Sequence, residues 1–155
     1  MRQTIPLYAC NADVVYMESH QYPRYTQGAF IHAFKSLFEN YSGSLLDVDI
    51  CGKPFKLQYT TAEEMISECA RNMECQSSGS MDNRSVSTYA PTIYYGIGDN
   101  PKADIRGAND AGHHWNSVLV RTGVFQGINC SIDVADIVAD DIGSALDIIF
   151  EKHNL

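Results

Sequence analysis

Strand-like and helix-like segments alternate from about residue 47 onward, and this alternation is the strongest constraint on the fold. Strands separated by a helical crossover pair in parallel, so the pattern implies βαβ units. Asp47–Cys51 reads as a strand running into the turn Gly52-Lys53-Pro54. A helix is expected over about Lys56–Met73, with Ala62, Met65, Ile66, Cys69 and Met73 as its apolar stripe. Thr60-x-x-Glu63 and Thr61-x-x-Glu64 both have capping-box form and offer two alternative helix starts. Thr92–Ile97 is a short apolar run of the kind covered on both faces, stopped by Gly98-Asp99-Asn100-Pro101. Asn100 caps and Pro101 opens a helix to Ala111, with Ile105, Ala108 and Ala111 facing inward and Gly112 closing it. Ser117–Arg121 reads as a second buried strand and Ile132–Val138 as a shorter, alternating one. Ile142–Lys152 closes the chain as a helix through Ala145, Leu146, Ile149 and Phe150, capped by Asp140 or Asp141. The expected class is α/β, with a mostly parallel sheet and flanking helices.

The N-terminal part is less regular. Ile5–Cys10 reads as a strand ending at Asn11-Ala12-Asp13, and Glu18–Thr26 is turn-rich. Gly28–Tyr41 places Phe30, Phe34, Leu37, Phe38 and Tyr41 on one helical face, and Ser42-Gly43 stops it. Ser-rich Glu74–Ala90 reads as a long flexible surface loop. At 155 residues the chain has the length of about one domain. It contains no apolar run of the roughly 18 residues that a membrane span needs, and Met1–Cys10 lacks the pattern of a secretory signal. The net charge of −8, without clustered cations, argues against nucleic acid or an acidic membrane as partner. The five cysteines are odd in number and none has CxxC spacing. They are expected to be reduced, mostly buried and structural, in an intracellular protein.

Ligands of open parallel sheets bind beyond the carboxyl ends of the strands. Three polar clusters fall there: Gly52-Lys53-Pro54, Gly98-Asp99 with Asp104, and Arg121-Thr122-Gly123. Together they suit a phosphate and a divalent cation. Lys53 would neutralise phosphate charge, Asp99 would bind a hard cation such as Mg²⁺, and Gly98 would admit close backbone approach. Each cluster also has a plain structural reading as a turn or helix cap, and Asp104 alone suits a helical first turn. His113 and His114, adjacent on an extended chain, point to opposite faces and make a poor metal pair. No His is placed to activate Cys51. Asp133, Asp136, Asp140 and Asp141 read as a solvated acidic edge plus a cap.

The segment Gly98-Asp99-Asn100-Pro101-Lys102-Ala103-Asp104-Ile105-Arg106-Gly107-Ala108, then Ala111-Gly112, then Leu119-Val120-Arg121-Thr122-Gly123-Val124-Phe125, resembles the fourth-motif region of the haloacid dehalogenase-like (HAD) hydrolases. The resemblance is to the subgroup with a large α/β cap (subclass IIA), and within it to the branch that includes the cat eye syndrome critical region protein. Gly52-Lys53-Pro54 looks like the third motif, and Asn11-Ala12-Asp13 followed by Gln27-Gly28-Ala29-Phe30 looks like the exit from the cap, with Ala12 where proline is usual. The resemblance implies a Rossmann-like core, with residues 1–46 as the end of the cap and 47–155 as the C-terminal half of the core. It further implies Mg²⁺ as cofactor, with Asp99 as a metal ligand. Asp104 would support that site, Lys53 would hold phosphate and nucleophile, and Asn11 and Asp13 would lie near substrate.

The family's chemistry also needs an Asp-x-Asp strand end, whose first aspartate accepts the phosphoryl group, and a Ser or Thr that binds phosphate. Neither can be placed in family order here. Asp47-Val48-Asp49 has the spacing but follows the cap exit. The expectation is therefore the C-terminal portion of a Mg²⁺-dependent phosphohydrolase, acting on a small phosphorylated substrate in the complete enzyme and inactive alone. The alternative is a non-catalytic phosphate- or partner-binding module that associates, with itself or with the missing half, through an open sheet edge. The resemblance leaves cytoplasm and mitochondrion both open as locations.

Overall fold

A computed structural model of the chain describes residues 2–77 and 92–155. Three small sheets carry the strands. β1 (Tyr8–Ala9) pairs in parallel with β4 (Asp49–Ile50), and β2 (Val15–Tyr16) pairs antiparallel with β3 (Arg24–Tyr25). The main sheet is parallel, in the order β5 (Tyr94–Gly98), β6 (Trp115–Val120), β7 (Ile137–Ala139). Helices α1 (Gln27–Ser42), α2 (Lys56–Ser77), α3 (Arg106–Ala111) and α4 (Ile142–His153) complete the chain, with a π-helical turn at Pro101–Ile105 leading into α3.

Alternation along β6 divides the core. Trp115 faces one side with Tyr59, Tyr94, Ala108 and Ala111, where α2 and α3 pack. Val118 and Val120 face the other with Ala139, Ala145 and Ile149, where α4 packs. Leu119 joins Ile105 and Ala135 in a third cluster. Period-two strands between helices on both faces are the arrangement that the sequence pattern implies. Asp141 caps α4, its carboxylate accepting from Ser144 N at 2.8 Å, and Asn100 caps the π-turn by accepting from Lys102 N at 3.2 Å. Gly43 ends α1 at φ 68°.

Several expectations need correction. α2 starts at Lys56, as its expected span has it, but neither capping box marks that start; Thr60 and Thr61 instead turn their hydroxyls back onto the Leu57 carbonyl. It also continues to Ser77, into the stretch expected as a loop, of which 78–90 lies outside the described residues. The third strand is only Ile137–Ala139. Before it, the Asn129 amide oxygen accepts from Ala135 N at 3.1 Å, closing a loop that turns Ile132 and Val134 outward and Asp133 and Ala135 inward. The apolar stripes of α1 and α2 are not core: Tyr41 is 92% exposed, Met65 62% and Met73 73%, and only Ala62 of the α2 stripe packs against a core cluster. Periodicity identifies an apolar face, and nothing among the described residues covers most of these two. Cys10, Cys51 and Cys69 are likewise exposed and Cys130 half-buried, on strand ends and helix faces that the small core does not reach. No helix among the described residues is long and apolar enough to cross a membrane.

These packing differences set stability. Ile105 has 0% exposure, so Ile105→Ala is expected to lower the unfolding free energy by about 2–5 kcal/mol. Met65→Ala, on the uncovered stripe, should change it by less than about 0.5 kcal/mol. Urea denaturation of both variants checks the contrast, and equal losses would contradict the assignment of the core.

Candidate active site

The site lies beyond the carboxyl end of β5, where three chain segments meet: the turn after β1, the turn before α2, and the loop from β5 into the π-turn. Asp104 is its hub. Its carboxylate is buried, its Oδ1 accepts from Lys53 Nζ at 2.6 Å, and its Oδ2 accepts from Asn100 N at 3.0 Å. The Tyr59 hydroxyl, on α2, donates to the Asp104 carbonyl at 3.1 Å. Gly98 makes this possible, because a Cβ there would overlap the Asp104 carboxyl group. Asp104 does sit in the first turn of the π-helical segment, and there it is buried and doubly held.

Asp99 belongs to the same cluster but is held differently. Its Oδ2 accepts from Val124 N at 2.6 Å, and its carbonyl accepts from Phe125 N at 3.2 Å. Gly123 lies against the Asp99 carboxylate without room for a side chain. The Thr122-Gly123-Val124-Phe125 segment is therefore a cradle for Asp99. No hydrogen bond to Oδ1 of Asp99 is found among the described residues, and a carboxylate oxygen is the donor type a hard cation takes. Among the described residues no three His, Cys, Asp or Glu side chains are grouped to hold a metal by themselves. Asp99 fits as one ligand of a shell that would need oxygens from elsewhere.

Asp13 completes the cluster. Its Oδ1 accepts from Asn100 Nδ2 at 3.2 Å and its Oδ2 lies 3.9 Å from Lys53 Nζ. Asn11 shapes the turn, its Oδ1 accepting from Asp13 N at 2.6 Å, and its side chain also acts on the Asp13 carboxyl, working to lower it. Burial pushes the Asp13 carboxyl above its ordinary value, helped by the charges of Asp104 and Asp99 and opposed by Lys53. Burial works to lower the Lys53 ammonium, but the Asp104 hydrogen bond and the three carboxylate charges outweigh it and hold Lys53 above its ordinary value. Burial and the nearby negative charge of Asp104 push the Tyr59 hydroxyl up to about 12. Beside the cluster is a cavity of about 240 Å³, lined by Lys53, Tyr59, Gly96, Ile97, Asp104 and Trp115 among others.

Other candidates fall outside the cluster. Arg121 turns away to pair with Asp140 and to donate to the Gly127 carbonyl. His114 Nε2 lies 2.7 Å from Glu63 Oε1, which also accepts from Trp115 Nε1 at 2.6 Å. These two hydrogen bonds hold Glu63 below the usual carboxylate range. Asp133 is not part of a solvated edge: it is buried and holds Arg106 through two oxygens at 2.8 and 2.9 Å. Asp47 and Asp49 are exposed, and neither pairs with Lys53, Asp99 or Asp104. Two site residues had no functional signal in the sequence. Asn100 lies inside the fourth-motif segment but reads only as a cap, and Tyr59 reads only as a position within a helix.

Comparison with known proteins follows the same lines. The family model described as HAD-hydrolase-like matches residues 50–145, which include Lys53, Asp99 and Asp104. The chain belongs to this family of HAD-like hydrolases. Among curated relatives of this HAD-like chain, a Schizosaccharomyces pombe cardiolipin synthase (CMP-forming)/mitochondrial hydrolase fusion protein is 34% identical over 147 residues, covering 95% of the chain and 22% of the relative. The mitochondrial hydrolase YKR070W of Saccharomyces cerevisiae is 28% identical, covering 98% of the chain and 45% of the relative. The chain therefore spans less than half the length of either. A hypothetical protein from Pyrococcus horikoshii matches the structure with TM-score 0.59 at 19% identity, over 93% of this chain and 44% of that one. A thermostable NPPase from Geobacillus stearothermophilus matches with TM-score 0.50 at 20% identity, over 86% and 41%. At these identities the two structures speak for the fold.

The raised Asp13 value has a stability consequence. A carboxyl raised in the folded state contributes most below its unfolded value, near pH 4, and that contribution is lost as pH rises through the folded value. Asp13→Asn is therefore expected to be more stable than the parent chain at pH 7, with the difference shrinking toward pH 4. Thermal melts across that range check it; a parent chain more stable at pH 7 would contradict the sign.

Proposed function

We propose that the chain is the C-terminal part of a Mg²⁺-dependent phosphohydrolase, with residues 1–46 as the end of a cap and 47–155 as the second half of the catalytic core. The observation that carries this reading is the convergence of Lys53, Asp99 and Asp104 beyond one strand end. Lys53 supplies the cation for a phosphoryl group of a small phosphorylated substrate. Asp104 fixes the lysine's direction through its 2.6 Å bond, and the Gly123–Val124 cradle aims Asp99. When bound, Mg²⁺ supplies Lewis-acid stabilisation of phosphoryl charge. Asp99 would hold it, with Asp104 supporting the site through Lys53 and the Asn100 amide. The aspartate that attacks phosphorus, forming an aspartyl phosphate that water then hydrolyses, lies outside these 155 residues. The names of both curated relatives support a mitochondrial location.

A second reading, a binding module without turnover, has one observation in its favour. Tyr94 N donates to the His114 carbonyl at 2.8 Å, so residues 94, 96 and 98 bond β6. Tyr95 and Ile97 then turn their main-chain groups to the opposite edge, which no strand pairs among the described residues. Such an edge invites another strand, from a second copy or from the missing half. Sedimentation at several concentrations reads self-association, and monomer throughout counts against it.

The hydrolase reading expects the 155-residue chain alone to hydrolyse p-nitrophenyl phosphate no faster than buffer. Joined to a segment carrying the nucleophile, it should show Mg²⁺-dependent hydrolysis that Asp99→Asn lowers by about 100-fold or more. Mg²⁺-dependent turnover by the chain alone, lost in Asp99→Asn, would overturn the assignment of the nucleophile. A joined protein indifferent to Mg²⁺ would overturn the function.

A further inference from the structure

We propose that Asp13 is a positioning residue, which ties the turn after β1 to Lys53 and Asn100 and so fixes where the Lys53 ammonium sits. The proposal deepens the hydrolase reading, on which it rests for the role of the lysine in phosphate binding; the geometry of the tie stands apart from it. By order in the family motif Asp13 is expected near substrate, but its atoms are otherwise engaged. Its main chain is clamped on both sides: its N–H donates to Asn11 Oδ1 at 2.6 Å, and its carbonyl accepts from Gly28 N at 2.9 Å, in the first turn of α1. Its side chain is only 15% exposed, and both oxygens face protein cations or donors, Asn100 Nδ2 at 3.2 Å and Lys53 Nζ at 3.9 Å.

A carboxylate in this place repels a phosphate rather than binding it. Its effect on a phosphoryl group must run through the cation beside it. Lys53 is a long side chain with much rotamer freedom, and a single partner leaves it free to swing about that contact. Asp104 holds Lys53 from the π-turn side and Asp13 from the β1 side, so the ammonium lies between two fixed charges. Asn100 closes the ring: its side chain donates to Asp13 and its main chain to Asp104. The ring joins three segments that are 40 or more residues apart in sequence. A shift of the turn at 11–13 would therefore move the lysine.

The test uses the ¹⁵N-lysine-labelled 155-residue chain, with the Lys53 ammonium signal assigned by its loss in Lys53→Arg. Asp13→Asn keeps an acceptor for Asn100 and removes the charge; Asp13→Ala removes both. Both are expected to shift or broaden the Lys53 signal at fixed pH while the Lys56 and Lys102 signals stay in place. Asn100→Ser, which keeps a cap acceptor but lacks the amide Nδ2 that donates to Asp13, should move the Lys53 signal in the same direction, and it decides the matter if the Asp13 variants do not fold. In the joined hydrolase, Asp13→Asn should lower kcat for p-nitrophenyl phosphate by about 10-fold with KM changed less than about twofold. An unmoved Lys53 signal in these variants overturns the proposal. So does a raised KM at unchanged kcat, which would make Asp13 a substrate contact. An inactive joined parent protein speaks against the hydrolase reading, and the lysine signal then decides positioning by itself.

Discussion

The bond between Lys53 and the buried carboxylate of Asp104 organises this molecule. It joins the turn before α2 to the loop after β5, and both ends are fixed by further contacts. Asp104 is held by the Asn100 amide, and Tyr59 reaches from α2 to its carbonyl. Tyr59 also packs edge-on against Trp115, with ring centroids 5.0 Å apart, so the site and the aromatic core share a residue. Lys53 keeps part of its side chain in solvent while Asp104 is buried, so removing the lysine would leave the buried carboxylate without its cation. The packing of α2 on the sheet and the direction of the lysine are thus one structural fact.

How much of this could be read from the sequence follows from what each signal measures. The parallel sheet was legible because Thr92–Ile97 and Ser117–Arg121 read as short buried runs bounded by turn residues, close to the observed Tyr94–Gly98 and Trp115–Val120, and because Asn100 caps the crossover between them and Asp141 caps the helix after β7. Lys53, Asp99 and Asp104 were legible because strand ends in such sheets are where ligands bind. The tie through Asp13 was not. It depends on which way the side chains of the β1 turn and of Asn100 point in space, and no local pattern encodes that. The same limit explains the Ile132–Val138 error: Asn129 and the Arg106–Asp133 pair impose a loop that reverses the side-chain alternation.

The uncovered helices carry a different lesson. Periodicity correctly marks Phe30, Phe34, Leu37 and Tyr41 as one face of α1, yet all four are exposed, and Phe30 and Phe34 stack on each other at 5.9 Å. An apolar stripe records what a helix was selected to pack against. Its burial depends on whether that partner is present. Contiguous apolar surface of this kind is uncommon on chains that function alone. The same holds for the edge of β5, where Tyr95 and Ile97 present main-chain groups beside a cavity of about 240 Å³. Among the described residues, the apolar stripe of α1 and this edge of β5 are both left uncovered.

Charge distinguishes the site from ordinary packing. Among the described residues Asp13, Asp99 and Asp104 act on the ammonium of Lys53, and burial first, then the charges of Asp104 and Asp99, hold the Asp13 carboxyl above its ordinary value. A cluster selected for stability alone would match its charges or be replaced by apolar groups of similar volume, which is often neutral or stabilising. Here the excess is negative, partly buried, and set at the end of a strand whose glycine gives up its side chain to admit one of the carboxylates. Each of these features works against the stability of the folded chain. They make physical sense together if a cation shares the site, since one divalent ion would balance the surplus that Lys53 leaves.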